Sequence, residues 1–180
     1  RDFTVAELLW TGFPASLEVG GLAILLAVVL GITLGTLAAL RQNTGLDYAV
    51  MATAMTGITI PNFVMAPLLT LIFGVYLSWL PVAGWNGGAW LNQVGPVITL
   101  ALPYIAIIAR LMRGSMIEAL RSNHIRTARA KGASYAKVNF VHALRNAVLP
   151  IVTIVGIEAA FLVGGLIVTE TVFNIPGVAR

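Results

Sequence analysis

The chain alternates long apolar runs with short polar intervals, and these runs predict its secondary structure. Four runs are apolar over about 20 residues or more, at 15–40, 49–75, 94–117 and 147–169. A bilayer core of about 30 Å is crossed by about 20 residues of α-helix, so each run predicts one membrane-spanning helix. Strands of a membrane barrel would alternate apolar and polar residues instead. The pattern predicts an all-α, polytopic transmembrane helix bundle.

The amino-acid composition agrees with the prediction of a membrane protein. Hydrophobic residues make up 58% of the chain and charged residues only 10%, and the mean hydropathy is +0.91. Such a chain cannot cover itself with a water-soluble surface, so it is an integral membrane protein. It contains no cysteine, so no disulfide holds the fold.

The distribution of charge predicts an orientation. Eight of the eleven Lys and Arg residues lie between Arg110 and Arg145, where Glu118 is the only acidic residue. Positively charged loops stay on the cytoplasmic side, so residues 110–146 are expected inside, together with 41–48. Residues 1–12 and 78–93 are then outside. The second of these loops is uncharged and carries three tryptophans, as is typical of a membrane interface.

Within the basic interval, the stretch 121–140 predicts short helices that lie along the membrane surface. Apolar or small residues are spaced for an inward face and cations fall elsewhere: Ile125, Ala128 and Ala136 inward, Arg126, Arg129 and Lys137 outward. Gly132 interrupts the run, as a bend or helix end would. Charge alone leaves lipid head groups and a protein partner both open.

The amino-acid sequence of this interval resembles that of a known protein family. Residues 126–132 (Arg-Thr-Ala-Arg-Ala-Lys-Gly) and 140–150 (Phe-Val-His-Ala-Leu-Arg-Asn-Ala-Val-Leu-Pro) resemble the cytoplasmic loop of ABC-importer permeases, and more narrowly that of dipeptide and oligopeptide permeases. The general pattern is Glu-Ala-Ala, three residues, Gly, nine residues, Ile-x-Leu-Pro. Ala128, Gly132 and Leu144 fit it.

Four positions depart from the general pattern. Arg126 replaces Glu, Thr127 the first Ala, His142 Ile and Arg145 Pro. These departures resemble one of the two permease subunits of peptide importers. They exclude any ion pair that the usual Glu would make.

Three further stretches resemble the same family. Residues 57–63 (Gly-Ile-Thr-Ile-Pro-Asn-Phe), 80–84 (Leu-Pro-Val-Ala-Gly) and 170–177 (Glu-Thr-Val-Phe-Asn-Ile-Pro-Gly) match its wording in order along the chain. The resemblance runs from about residue 15 to the last residue. It implies a bundle of the ABC-importer permease type, with four spans here and six in the full protein, one before and one after this piece.

The resemblance also implies a function. The chain would be a permease subunit that forms the translocation path for di- or oligopeptides in a bacterial or archaeal inner or plasma membrane. Its partners would be a second homologous permease, two cytoplasmic ABC ATPase subunits, an extracytoplasmic solute-binding protein and membrane lipid, with no nucleic acid. The same type of permease also serves nickel, glutathione and other small solutes.

The residues implied in coupling to the ATPase lie in the basic loop. The docking surface would comprise Arg126, Thr127, Ala128, Gly132, Ala133 and Tyr135, braced by His142, Leu144 and Arg145. Small residues permit a close approach of a partner. For each cation, a solvated or lipid-facing position stays the alternative. The chain has no Gly-x-x-x-x-Gly-Lys-Ser/Thr loop, so ATP and Mg are expected on the partner ATPase, with no cofactor or metal here.

Polar residues inside the spans are candidates for the translocation path. Glu158 lies deep in the fourth run, where a carboxylate has to face the bundle interior or a water-filled path. Asn62 follows Pro61, which frees backbone carbonyls. A packing role is the alternative for both. Gly31 and Gly35 form a small-xxx-small pair that predicts close helix packing.

The sequence disfavours two other classes of function. An intramembrane enzyme would need a catalytic constellation, but the two histidines, His124 and His142, both lie in the basic loop, and Ser115 has no histidine at its depth. No metalloprotease or nucleophile-elbow motif occurs. A passive channel is disfavoured by the long, specifically worded loop. The expected class is therefore a transport subunit without catalytic residues.

Overall fold

The computed structural model describes residues 5–178, and within helices it leaves out the side chains of Val5, Ala6, Leu8, Leu9 and 162–165. The described residues form helices and contain no strand, as predicted. The helices are α1 (Val5–Leu40), α2 (Gly45–Thr59), α3 (Asn62–Tyr76), α4 (Trp90–Arg121), α5 (Asn123–Ala130), α6 (Lys137–Ala147) and α7 (Leu149–Phe173). The last part of α3 and the first part of α6 are π-helical.

Two of these helices are long and apolar enough to cross a membrane, Trp10–Leu40 and Trp90–Arg121. The number rises to four if the pairs α2 with α3 and α6 with α7 each count as one bent span. The second apolar run is therefore not one continuous helix. α2 ends at Thr59 and α3 begins at Asn62, because Pro61 between them has no N–H to donate and takes an extended conformation.

The chain forms two compact units. The first contains residues 5–26, Thr59–Pro103 and 158–178, and the second contains Ala27–Ile58 and Tyr104–Ile157. Each unit contains parts of several helices. The second unit carries the basic loop.

The core of the second unit is built where α1 lies directly against α4. A methyl group at Gly35 would lie 2.5 Å from the carbonyl oxygen of Ala109, and one at Gly31 would lie 2.7 Å from Cβ of Ile108. The absence of side chains at these two glycines lets the two helices touch, as the small-xxx-small spacing predicts. The fully buried side chains around this contact and beyond it include Ile108, Met112, Met116, Ile125, Val138 and Ile151.

The first unit is closed by the end of α7. Gly84 N–H donates to the carbonyl oxygen of Phe173 at 2.8 Å, so two of the stretches that carry the family resemblance meet here. The buried Ser16 hydroxyl donates to the buried carboxylate of Glu170, and the N–H of Val178 donates to Ser16 Oγ at 2.9 Å. α1 and the segment after α7 are thereby joined through one serine.

We predict that Gly35→Ala destabilises the protein although alanine favours helices, because the added methyl overlaps α4. Overpacking of this kind costs about 1–3 kcal/mol, against a helix-propensity gain of about 0.5–1 kcal/mol. Gly21→Ala is the matched control, since a Cβ at Gly21 meets no atom within 4 Å. The midpoint of thermal unfolding of the full-length permease in detergent should fall for Gly35→Ala and not for Gly21→Ala. Equal midpoints for the two variants would contradict the packing described here.

Candidate partner-binding site on the basic loop

α5 ends at Gly132 in a left-handed turn. Gly132 has a φ of 78°, its N–H donates to the carbonyl oxygen of Arg129 at 2.9 Å, and the N–H of Ala133 donates to Ala128 at 3.1 Å. These two bonds form a Schellman motif, which satisfies carbonyls that the helix end would leave free. Gly132 is thus a helix end, as its position in the sequence predicts, and it reverses the chain.

The reversal leaves a groove of about 510 Å³ between α5 and α6. Nine residues line it: His124, Thr127, Ala128, Lys131, Gly132, Ala133, Ser134, Lys137 and His142. Five of them belong to the predicted docking surface and its braces. The other four, His124, Lys131, Ser134 and Lys137, were not predicted as site residues, although the two lysines belong to the basic interval.

The other predicted loop residues lie outside this groove. Arg126, Tyr135 and Arg145 are exposed, and the ring of Tyr135 is 70% accessible to solvent. Leu144 is half-buried and packs on the core of the second unit. The side chains of Arg126 and Arg145 make no hydrogen bond or ion pair within the part of the chain that the structure describes. The residues predicted as a docking surface are therefore split between a groove and the exposed faces beside it.

The predicted inward face of the loop is correct at Ile125 and wrong at Ala136. Ile125 is fully buried, whereas Ala136 is exposed, and Val138 and Asn139 are buried instead. The error arises because one helical period was continued across Gly132. The left-handed turn restarts the helix in a new direction, and the π-helical hydrogen bonds of α6 then shift which residues face the core.

His124 connects the two walls of the groove at their base. Asn146 Nδ2 lies 2.9 Å from His124 Nε2, and Ser122 Oγ lies 2.8 Å from His124 Nδ1. The Ser122 hydroxyl donates to the carbonyl oxygen of Ala119 at 2.5 Å. A neutral imidazole with its proton on Nδ1 satisfies all three bonds. The end of α4, the start of α5 and the end of α6 are thus linked through one side chain.

The loop is also tied to the helix that follows it. Ala143, Ala147 and Ile151 are at most 2% exposed and belong to one hydrophobic core. One residue, Val148, separates the end of α6 from the start of α7, and Pro150 lies in the first turn of α7, where a missing N–H costs nothing. A force on α6 therefore acts on α7 through packed side chains and not through a flexible linker.

A buried ion pair supports the site from the side of α2. Arg113 Nε lies 2.5 Å from Asp47 Oδ1, and Nη2 donates to Oδ2 at 2.7 Å. The Asp47 side chain is 1% exposed and that of Arg113 26% exposed. The N–H of Asn43 also donates to Asp47 Oδ2, at 2.9 Å. The pair fixes the turn between α1 and α2 on α4. The sequence carried no signal for it, since the partners are 66 positions apart.

The residues predicted for the translocation path are not brought into one cavity. Asn62 is half-buried as the first residue of α3, and Glu158 is half-buried in α7. Neither has a hydrogen-bond partner among the described residues. The lining of an apolar cavity of about 220 Å³ in the first unit, as far as it is described, contains neither. Glu18, at the outer part of α1, accepts a hydrogen bond of 2.8 Å from Gln93 Nε2.

A family model matches most of the chain. A family model described as "Binding-protein-dependent transport system inner membrane component" matches residues 31–180. The chain belongs to this family of membrane transport proteins, and the family predicted from the loop motifs is confirmed.

Two bacterial relatives show which kind of transport protein the chain is similar to. The chain is 49% identical over 180 residues to the oligopeptide transport system permease protein OppB of Salmonella typhimurium, which covers 100% of this chain and 59% of the relative. It is 46% identical over 177 residues to the dipeptide transport system permease protein DppB of Bacillus subtilis, covering 98% and 57%. The chain thus spans about three fifths of the length of these relatives.

A solved structure shows the fold. The crystal structure of an amino acid ABC transporter with histidines matches 97% of this chain and 76% of its own chain with a TM-score of 0.75 at 19% identity. This match confirms the predicted helical bundle of the ABC-importer permease type.

We predict that Asp47→Asn destabilises the protein, because it leaves the Arg113 guanidinium half-buried without its counter-charge. Hydrogen bonds to charged groups contribute about 1.5–3 kcal/mol, and the free energy of unfolding should fall by about that amount. Arg121→Gln is the control, since Arg121 is exposed and makes only a 3.4 Å bond to Gln42. Chemical denaturation of the full-length permease in detergent measures both. An Asp47→Asn variant as stable as Arg121→Gln would show that the pair contributes nothing.

Proposed function

We propose that this chain is part of a permease subunit of an ATP-binding-cassette importer that takes up di- and oligopeptides. The observation that carries the proposal is the groove on the basic loop, which is lined by Thr127, Ala128, Gly132, Ala133 and His142 of the family's loop segment and lies between helices that pack against α7. The names of the two relatives, which specify oligopeptide and dipeptide transport, support the substrate class.

The partners follow from the proposed class. The chain pairs with a second homologous permease subunit to enclose the path, and an extracytoplasmic solute-binding protein delivers the peptide. Two cytoplasmic ABC ATPase subunits bind ATP and Mg and hydrolyse ATP, so the chain itself carries no cofactor and no catalytic residue. Lipid covers the remaining apolar faces, and nucleic acid is not a partner.

The membrane placement follows from the charge of the loop. Residues 110–146 face the cytoplasm of a bacterial or archaeal cell, because eight basic residues and one acidic residue lie in this interval. The groove between α5 and α6 then opens toward the compartment that contains the ATPases. Residues 78–93, with exposed Trp79 and Trp90, lie at the outer surface.

The groove suits an acidic surface of the ATPase. Lys131 and Lys137 line it, whereas the only acidic residue of the interval, Glu118, does not. Opposite charges across an interface accelerate association and exclude wrong partners. Ala128, Gly132 and Ala133 in the lining have small side chains or none, so a partner side chain can enter between the two helices.

Coupling then proceeds through rigid contacts. When ATP closes the two ATPases, the docked loop moves with them, and the buried residues Ala143, Ala147 and Ile151 carry the movement into α7. His124 keeps α5 and α6 from separating during this step. The path switches from outward to inward access, and Asn62 and Glu158 are proposed to line it, as polar groups without a partner in the described chain.

Crosslinking tests the docking step. A cysteine at Ala133, in a cysteine-free full-length transporter, should crosslink to a cysteine in the groove of the ATPase in native membranes, with a yield that changes with ATP. If the inserted chain crosslinks to no ATPase, the loop serves topology and lipid binding and the docking proposal is wrong. Uptake that persists without the ATPases would identify a passive channel.

Charge reversal tests the chemistry of the groove. Lys131→Glu combined with Lys137→Glu should reduce ATP-driven peptide uptake and the Ala133 crosslink at least about tenfold, because like charges facing each other across an interface oppose binding by several kcal/mol. Arg129→Glu is the matched control, an exposed cation on α5 that does not line the groove. If Arg129→Glu reduces uptake as much as the double variant, net loop charge and not the groove determines docking.

A further inference from the structure

The polar side chains of α4 divide between an inward and an outward face. Arg113 points into the second unit and pairs with Asp47. Arg110 and Glu118 are exposed, and neither side chain forms a hydrogen bond or ion pair with any residue that the structure describes. The two unpaired charges lie on one side of the helix, since eight residues are a little more than two turns.

These two residues line one groove. It has a volume of about 420 Å³ and is lined by Arg110, Ser115 and Glu118 together with Gly114 and apolar residues that include Ile107 and Ile154. A volume of this size is within the range of small-ligand sites, which are mostly apolar with a few fixed polar groups. A Cβ at Gly114 would meet no atom within 4 Å, so the floor of the groove is open.

The groove lies where the apolar run 94–117 overlaps the cytoplasmic interval 110–146, at the inner boundary of the predicted span. Arg110 lies seven residues before the inner end of the apolar run 94–117, or about 10 Å inside it along the helix. A guanidinium at that depth faces a bundle interior or an aqueous cavity. Anionic lipid head groups are a poor occupant of the groove. The Arg110 side chain could extend toward them, but the Glu118 carboxylate in the same groove would repel them.

The spacing of the charges matches the ends of a short peptide. Arg110 and Glu118 are separated by about 12 Å along α4, and an extended peptide of three or four residues spans about 10–14 Å. We infer that Arg110 binds the α-carboxylate and Glu118 the α-ammonium group of a translocating tri- or tetrapeptide in the cytoplasmic half of the path. Ser115 is placed to hydrogen-bond the peptide backbone between them. This inference rests on the proposed function and names the step at which the substrate contacts this chain.

Thiol labelling tests the inference in the complete transporter. Gly114→Cys, in an otherwise cysteine-free full-length permease with its partners in proteoliposomes, should react with a charged, water-soluble methanethiosulfonate. Tri-alanine with ATP and binding protein should slow that reaction at least about threefold. Gly156→Cys is the control, because a Cβ at Gly156 also meets no atom within 4 Å but lies on the exposed apolar side of α7. Its reactivity should not depend on tri-alanine.

Neutral variants test the two charges. Arg110→Gln and Glu118→Gln should each lower tri-alanine uptake about tenfold and abolish the protection of Gly114→Cys, since each removes one charge-assisted hydrogen bond. Unchanged uptake in both variants would overturn the inference. So would a Gly114→Cys thiol that never reacts, which would mean that lipid or the second permease covers the groove, or one that reacts equally with and without tri-alanine.

Different results would contradict the proposed function and the assignment of this groove. A transporter with wild-type residues that takes up no tri-alanine under ATP contradicts the proposed function. Normal ATP-driven uptake without peptide protection at Gly114→Cys leaves the function intact and contradicts only the assignment of this groove.

Discussion

A buried charge has to be neutralised where it lies, and this constraint organises the second unit. Arg113 is on the face of α4 that also carries Met112 and Met116, both fully buried. Its guanidinium is compatible with that face only because Asp47, in the first turn of α2, supplies both carboxylate oxygens. The start of α2 is thereby fixed on α4, close to the place where α4 leads into the basic loop.

The basic loop is held together by contacts of a few side chains, most of them small. Glycine closes α5, one histidine holds the two walls of the groove, and alanines at the end of α6 let it pack without a gap into the start of α7. None of these contacts is strong alone. Together they connect the end of α4, α5, α6 and the start of α7 within a stretch of fewer than thirty residues.

The sequence predicts well what depends on local pattern and poorly what depends on distant contacts. Apolar run length predicted the helices, and the fit of Ala128 and Gly132 to a known motif predicted the family. The π-helical start of α6, which exposes Ala136 and buries Asn139, has no local sequence signal. Neither does the pairing of Asp47 with Arg113, since two charges far apart in a chain reveal no distance until the helices between them are packed.

The contact between Gly12 and Gly177 bears on how these sequences can change. A Cβ at Gly12 would overlap the backbone of Gly177, and one at Gly177 would overlap the carboxylate of Glu170. Gly177 belongs to a recognisable signature, whereas Gly12 belongs to none. Neither position has room for a side chain, Gly12 against the backbone of Gly177 and Gly177 against the carboxylate of Glu170, so a larger residue at either would displace the segment that follows α7. The start of α1 and this segment therefore meet with no side chain between them at Gly12, although 165 positions separate the two glycines.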